Sequence, residues 1–133
     1  MRSTQLVSLA IEGDVKNVRK RLKAGVSPDS VDETRSTSLH WASTLGHVEV
    51  MKALLSAGAR VNLADMGGLN PLHVGSRSRN IKGLKLLLDA KALVNTQSYI
   101  DGLTALHFAC QTGHEESVEL LLQFGALQRF FGL

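Results

Sequence analysis

Hydrophobic and polar positions follow a helical period in short segments of this chain, and the same pattern of segments recurs along the sequence. Within each segment apolar residues recur at intervals of one, three and four, which places them on one face of an amphipathic helix. Three such faces are Val50, Met51, Leu54 and Leu55; Leu84, Leu86, Leu87 and Leu88; and Val118, Leu120, Leu121 and Leu122. The pattern predicts short helices that each bury one face.

The first of these blocks carries clear helix boundary signals. Thr37 has the side chain of a helix N-cap, and Gly46 is suited to end a helix, so the sequence predicts a helix over Ser38–Leu45. A second helix is predicted over Val48–Ser56, after which Gly58 supplies a left-handed residue. Each block therefore contains two helices joined by a turn.

The next two blocks repeat these signals. Asn70 precedes Pro71, which fits the first position of a helix, and Thr104 with Gly113 brackets the corresponding segment of the third block. The histidines that follow each cap show the period, since 33 residues separate His40 from His73 and 34 separate His73 from His107. A constant period of this length indicates a stack of structural repeats.

The repeats resemble a known family in their motifs. TSLH, NPLH and TALH open the three blocks, and GH precedes the second helix in the first and third; residues 6–29 are a weaker copy without the opening segment. The pattern resembles the ankyrin repeat, and the resemblance covers residues 5–127. It implies an all-α solenoid of stacked helix-turn-helix units joined by β-hairpin loops, whose hairpin tips and first helices form a concave face.

The resemblance also divides the chain. It implies one ankyrin-repeat domain over residues 1–133, with a partial N-terminal capping repeat at 5–29, repeats at 32–62, 65–95 and 99–127, and a tail at 128–133. Arg35 and Lys91 stand where the family has glycine, so each is expected to hold a positive φ or to change its turn. Gly75 replaces a helical alanine, and one extra residue falls near 98–101. The second repeat is expected to be the least stable.

The composition agrees with a folded repeat domain and indicates the cellular compartment. The 133 residues are 44% hydrophobic and 20% charged, which is enough apolar material for a core. A single cysteine, Cys110, excludes an intramolecular disulfide and favours a reducing compartment. We expect a cytoplasmic or nuclear protein.

Three histidines in matched settings suggest metal binding or catalysis, but their spacing argues for a structural role. Equivalent positions in stacked repeats lie about 10 Å apart, too far to share one ion. The resemblance instead implies that each histidine bonds the nearby Thr and the next turn. The sequence contains no nucleophile motif, P-loop or HExxH. We therefore expect no enzymatic activity, no cofactor and no metal.

The predicted function is that of a non-catalytic protein–protein interaction module, part of a larger regulatory or scaffold protein. By resemblance, the partner would contact hairpin tips and first helices at Glu33, Thr34, Ser36, Trp41, Leu45, Met66, Leu69, Arg77, Ile100, Asp101, Leu103 and Gln111. Apolar residues at such tips favour a protein interface. The family also makes Asn62 and Asn95 candidates for hydroxylation, although turn formation is the favoured role of asparagine at these places.

Two other functions stay open. The chain could be the recruiting arm of a larger enzyme or ubiquitin-ligase assembly, or its basic first helix, with the run KNVRKRLK, could bind nucleic acid or an anionic membrane. The net charge of +3 and the absence of interleaved aromatic residues in that run argue against both electrostatic partners.

The carboxyl end is a further departure from the family pattern. No polar capping helix follows Gly125, so the last repeat is expected to leave an uncapped face that could support self-association. Phe130 and Phe131 would form a cap or an interface, unless the chain is a fragment of a longer array. The oligomeric state stays open.

Overall fold

A computed structural model describes residues 2–127 of the chain, with side chains from Gln5 onward. This part of the chain contains eight helices in four consecutive pairs. They are α1 (Arg2–Glu12), α2 (Val15–Lys23), α3 (Ser38–Leu45), α4 (Val48–Ser56), α5 (Pro71–Gly75), α6 (Ile81–Asp89), α7 (Ala105–Thr112) and α8 (Glu115–Gln123). The all-α prediction is confirmed, and so are the predicted bounds of α3 and α4.

The pairs stack so that the helices form two rows. The first helices contact one another in the order α1, α3, α5 and α7, and the second helices in the order α2, α4, α6 and α8. The core lies between the rows, and each buried aliphatic side chain there contributes about 1.5–3 kcal/mol. Its fully covered members include Leu6, Val18, Leu39, Met51, Leu54, Leu72, Leu87, Ala109 and Leu121.

Helices α3, α5 and α7 begin with the same reciprocal cap. The side chains of Thr37, Asn70 and Thr104 accept the backbone N–H of the histidine three residues on. The histidine Nδ1 in turn accepts the backbone N–H of the capping residue, at 3.0 Å in the case of Thr37 and His40. Two of the otherwise unpaired N–H groups are satisfied in this way.

The same histidines join one repeat to the next. His40 Nε2 lies 2.8 Å from the Leu69 carbonyl oxygen, and His73 Nε2 lies 2.7 Å from the Thr96 carbonyl oxygen. Because Nδ1 already accepts an N–H, Nε2 carries the proton and donates to these carbonyls. Burial lowers the pKa of both imidazoles below the ordinary value of 6.5, although the hydrogen bonds at Nε2 oppose the shift. The predicted structural role of these two histidines is confirmed.

A second set of links uses the side chains that follow each second helix. An oxygen of each accepts a backbone N–H about one repeat later. The pairs are Asp29 with Arg60 at 2.9 Å, Asn62 with Leu93 at 2.8 Å, and Asn95 with Leu127 at 2.9 Å. Neighbouring repeats are therefore joined at both ends of the helix pair, which fixes the spacing of the loops that they carry.

The departures from the family pattern have local consequences. Arg35, Arg79 and Lys91 all adopt left-handed backbone, with φ of 62°, 61° and 73°. Such a conformation is unfavourable for residues that carry a Cβ. Helix α5 spans only five residues and the turn that follows it is longer, which distinguishes the second repeat. Its expected low stability stays a prediction.

One expectation needs correction. The basic run KNVRKRLK lies on α2, in the second-helix row, and not on the chain's first helix, because α1 occupies residues 2–12. The implied hairpin loops are present in short form. Between residues 2 and 127 they include one isolated antiparallel bridge, from Val31 to Thr37, and the backbone N–H groups of Asp32, Asp65 and Ser98 donate across their tips to the carbonyls of Ser36, Leu69 and Leu103. Side-chain hydrogen bonds add to these backbone bonds in holding the turns.

Some sequence predictions fall on other parts of the chain. Phe130 and Phe131, proposed as a cap or an interface, lie outside the described residues, as does the whole 128–133 segment. Of the helices that the structure describes, none has the length and apolar character needed to cross a bilayer.

Candidate partner-binding surface

Three turns between the repeats form a row of tips, and a polar side chain at the base of each organises its backbone. Asp32 Oδ1 accepts the N–H groups of Thr34 at 2.9 Å and Ser36 at 3.0 Å. The equivalent Asp65 Oδ1 accepts those of Gly67 at 2.9 Å and Leu69 at 3.0 Å. In the third tip Ser98 Oγ accepts the N–H of Leu103 at 3.0 Å. Together with the backbone bond that closes each tip, these side-chain bonds hold the short turns in one conformation.

Backbone hydrogen bonds also tie the tips to one another. The N–H of Met66 donates to the Thr34 carbonyl at 3.0 Å, and the N–H of Tyr99 donates to the Gly67 carbonyl at 3.0 Å. The Tyr99 ring lies against Gly68, where a Cβ would overlap its atoms, so only glycine fits beneath it. The three tips therefore form a continuous, ordered edge.

Apolar side chains project from this edge into solvent. Met66 is 64% exposed, Tyr99 70% and Ile100 90%. Leu69 and Leu103, which the sequence also placed at the tips, are half-buried. Sequence reasoning missed Tyr99, although it lies inside the segment 98–101 where the extra residue was located. A large aromatic residue in an extended tip was the available signal.

Trp41 lies beside the first tip and is fixed by it. Its indole Nε1 donates to Asp32 Oδ2 at 2.9 Å, and the ring is half-buried. Burial works to raise the pKa of Asp32, but hydrogen bonds from Thr34, Trp41 and Ser36 outweigh burial and hold the pKa below its ordinary value. The ionised carboxylate thus orients an aromatic side chain at the junction of tip and helix.

A second aromatic feature lies on the α5 and α7 side of the surface. The Arg77 guanidinium carbon lies 4.9 Å from the centre of the Phe108 ring, within the range of a cation–π interaction. His73 meets the same ring edge-on at 5.7 Å. Phe108 itself is buried, so Arg77 is the part of this pair that faces solvent.

The other predicted positions divide by exposure. Glu33 and Thr34 in the first tip, and Asp101 in the third, are exposed. Leu45 is 47% exposed near the end of α3, and Gln111 is exposed on α7. Ser36 is a correction, because it is only 7% exposed and its Oγ lies 2.8 Å from Thr34 Oγ1. It stabilises the tip instead of offering surface to a partner.

We name the exposed part of this region the tip surface. It combines solvent-facing apolar tips with polar neighbours and two anchored side chains, Trp41 on α3 and Arg77 in the turn after α5. Its members are Glu33, Thr34, Trp41, Leu45, Met66, Arg77, Tyr99, Ile100, Asp101 and Gln111. Ordered backbone beneath apolar groups lowers the conformational entropy lost on binding.

The two candidate asparagines have structural partners. Asn62 Oδ1 accepts the Leu93 N–H, and Asn95 adds a second bond from Nδ2 to the Gly125 carbonyl at 3.1 Å. Both amides therefore serve the turns, which is the structural role that the sequence also allowed. Hydroxylation of either stays a prediction.

Groups that could perform catalysis or bind metal are dispersed. Among residues 5–127, no three His, Cys, Asp or Glu side chains are grouped closely enough to hold a metal ion. Partial burial raises the pKa of the exposed Cys110 thiol, which disfavours the nucleophilic thiolate. His47 donates from Nε2 to the Ile11 carbonyl at 3.1 Å, and His114 Nδ1 lies 2.6 Å from Ser117 Oγ. Both rings serve helix ends.

Comparison with known proteins agrees with the repeat fold described above. A family model described as ankyrin repeats (3 copies) matches residues 6–98, and another, described as ankyrin repeats (many copies), matches residues 76–122. A search of curated proteins found no match. The first family model alone covers more than half of the 133 residues, and the fold has the helix pairs that it implies. The chain belongs to the ankyrin repeat family.

Proposed function

We propose that this chain binds a partner protein through the tip surface. Ankyrin repeats are generally protein–protein interaction modules, and the family is typically non-catalytic. The particular surface is inferred from this chain's own residues. Met66, Tyr99 and Ile100 form an apolar row that no other described element covers.

One observation carries the proposal, which is the ordered exposure of apolar side chains on hydrogen-bonded tips. Surface apolar residues are common singly, but several on adjoining turns are typical of an interface. The bonds from Met66 to Thr34 and from Tyr99 to Gly67 hold the row in place before a partner arrives. A rigid docking mode follows, with Trp41 and Arg77 as the strongest candidate anchors, because Trp and Arg are enriched at interface hot spots.

The wider role in this proposal is recruitment within a regulatory or scaffold protein in the cytoplasm or nucleus. Delivery of a substrate to an enzyme or ubiquitin-ligase assembly would use the same surface. Both roles rest on one binding event, so the test of the surface comes first.

The test replaces two exposed apolar residues of the tip surface by aspartate. We expect the double variant Met66→Asp and Ile100→Asp to lose partner binding by about 100-fold or more, because aspartate cannot be desolvated in an apolar contact. Leu103 is unsuitable, since it is half-buried and its replacement would disturb the turn. Leu93→Asp is the matched control, because Leu93 is an apolar residue 59% exposed outside the tip surface.

Proteins captured by immobilised wild-type chain would be identified by mass spectrometry and then measured by calorimetry with each variant. Circular dichroism and thermal melting of all variants test whether the fold persists. Equal affinity of the folded double variant and the wild type would refute the tip surface. Loss of binding by Leu93→Asp as well would show that the contact lies elsewhere.

A further inference from the structure

The second-helix row has an uneven charge distribution along the stack. From the charged residues of each helix, α2 carries a net charge of +5, α4 of 0, α6 of +1 and α8 of −3. The basic charge is therefore concentrated at the amino-terminal end, and acidic charge at the other. An anionic ligand would be attracted to one end and repelled from the other.

Two grooves cross the basic part of this row. One lies between α2 and α4, has a volume of about 400 Å³, and is lined by Arg19, Lys23 and Lys52. The other lies between α4 and α6, has a volume of about 280 Å³, and is lined by Lys52, Lys82 and Lys85. Lys52 lines both, so the two grooves adjoin. We call them together the outer groove.

The outer groove has an apolar floor beneath its cations. Leu22, Ala53 and Ala57 line the first part, and Val48 and Leu86 line the second. Small and aliphatic floor residues leave room for aliphatic side chains of a ligand. The lysine stems add apolar surface at the rim while their ammonium groups stay in water.

Few carboxylates compensate the five cations. Glu49 lies 3.3 Å from Lys52 Nζ, but both side chains are more than half exposed, so this ion pair contributes little and is easily replaced. Asp89 also lines the second part of the groove, beside Lys82 and Lys85 in the same helix. The groove therefore keeps an excess of positive charge.

We propose that the outer groove binds an acidic peptide segment that also carries aliphatic residues. Carboxylates would meet the lysine and arginine rim while leucine-like side chains enter the floor. Packed helices lie about 10 Å apart, so the two parts span about 20 Å, the length of about six extended residues. A segment of this size fits both parts at once, with Lys52 at its centre.

The composition of the groove disfavours other anionic ligands. Helices α2, α4 and α6 contain no aromatic residue for stacking on bases or for anchoring at a membrane interface. A concave site with an apolar floor also matches a peptide better than a flat anionic surface. The groove lies on the helix row that does not form the tip surface, so this inference adds a second binding site to the one proposed above.

The experiment uses fluorescence anisotropy with the whole chain and a labelled peptide of about eight residues in which glutamate alternates with leucine. A peptide with glutamine in place of glutamate is the neutral control. Competitors are phosphatidylserine vesicles and a thymidine oligonucleotide. Lys52→Glu and Lys85→Glu change the groove, whereas Lys20→Glu makes the same charge change on α2 at an exposed position that does not line it.

We expect Lys52→Glu to weaken binding about tenfold or more, Lys85→Glu somewhat less, and Lys20→Glu less than about threefold. The glutamine peptide should bind far more weakly than the acidic one. Equal weakening by Lys20→Glu and Lys52→Glu would reduce the effect to net charge and overturn the proposal. Tighter binding of the oligonucleotide or the vesicles would overturn it in favour of another ligand class.

The two proposed sites can be separated. The Met66→Asp and Ile100→Asp variant should bind the acidic peptide as the wild type does, and Lys52→Glu should keep any partner of the tip surface. Loss of peptide binding in the tip variant would contradict an independent outer groove. Circular dichroism of each variant checks that its helices are intact.

Discussion

The repeats built on α3 and α5 use the same scheme but differ in regularity. Helix α3 runs for eight residues and ends at Gly46 with φ of 75°, whereas α5 runs for five and is followed by a turn through Arg79 with φ of 61°. Both nevertheless keep the cap and a histidine bond to the next repeat. The difference shows that helix ends tolerate change where the links between repeats persist.

The second repeat also makes one link to the preceding repeat with a different type of side chain. Where His47 donates to the Ile11 carbonyl, the equivalent Asn80 donates from Nδ2 to the Gly46 carbonyl at 3.0 Å. Asn80 Oδ1 at the same time accepts the Gly83 N–H at 3.1 Å and caps α6. An amide can thus perform both tasks at a helix start, although it departs from the GH motif.

Removing the shared link should have the largest effect. We expect His40→Ala and His73→Ala each to lower the free energy of unfolding by about 2–4 kcal/mol, because each leaves the buried N–H of the capping residue without its acceptor and removes the bond to the next repeat. His47→Ala is the matched control and should cost about 1 kcal/mol, since its bond is exposed. Urea denaturation followed by circular dichroism measures all three. Equal losses of unfolding free energy in His40→Ala and His47→Ala would contradict the view that burial makes the His40 bond more stabilising.

Acidification should weaken the same link with a smaller effect, because the rings stay packed. In the folded state burial holds the pKa of His40 and His73 below 6.5. Just below that pH these histidines are therefore protonated in the unfolded chain but stay neutral in the folded chain. Stability is therefore full above about pH 6.5 and falls as the pH drops toward the folded pKa values. Denaturation midpoints between about pH 7.5 and 5.5 measure the decline. His73→Gln should show a shallower pH dependence than the wild type.

The smallest effect on stability is expected from a substitution that makes the second repeat more like the first. Gly75 lies where the neighbouring repeats have the buried Ala42 and Ala109. A Cβ there would lie 3.4 Å from Leu87 Cδ1 and 3.5 Å from Ser43 Cβ, which are ordinary contacts. We expect Gly75→Ala to raise stability by about 0.5–1 kcal/mol through helix propensity.

The control for this change is a glycine in the same repeat with less room. A Cβ at Gly83 would lie 3.1 Å from Met51 Sδ, so the sulfur would have to shift. Gly83→Ala should therefore gain less than Gly75→Ala, and thermal melting compares the two. A loss of stability in Gly75→Ala would show that the short α5 needs glycine for a reason other than space.

Much of the fold could be predicted because its signals are local and repeated. Thr37 and Gly46 bracket α3 by capping chemistry alone, and the period then transfers the scheme to the other repeats. The early end of α5 was harder to predict, because it depends on how Ser76, Arg77 and Ser78 share turn bonds with the carbonyls of the helix. Local preferences there are nearly balanced, so packing decides.

The surfaces were harder to predict than the helices. Exposure at the tips depends on which side chain covers the turn, so Met66 and Leu69 looked alike in the sequence but differ in the structure. Ser36 similarly appeared available yet is enclosed by its own tip. The outer groove requires knowledge that Lys52 faces cations on two neighbouring helices, and helix periodicity within one segment does not supply that.

The bonds between repeats have a consequence for folding speed. The links from His40, Asn62 and Asn80 span 29, 31 and 34 residues, close to one repeat each. Forming any of them closes a loop of nearly the same modest length, and the closure entropy changes only slowly with loop length. Contacts limited to adjacent repeats keep the relative contact order low. We expect the stack to fold rapidly, with each repeat adding to its neighbour in turn.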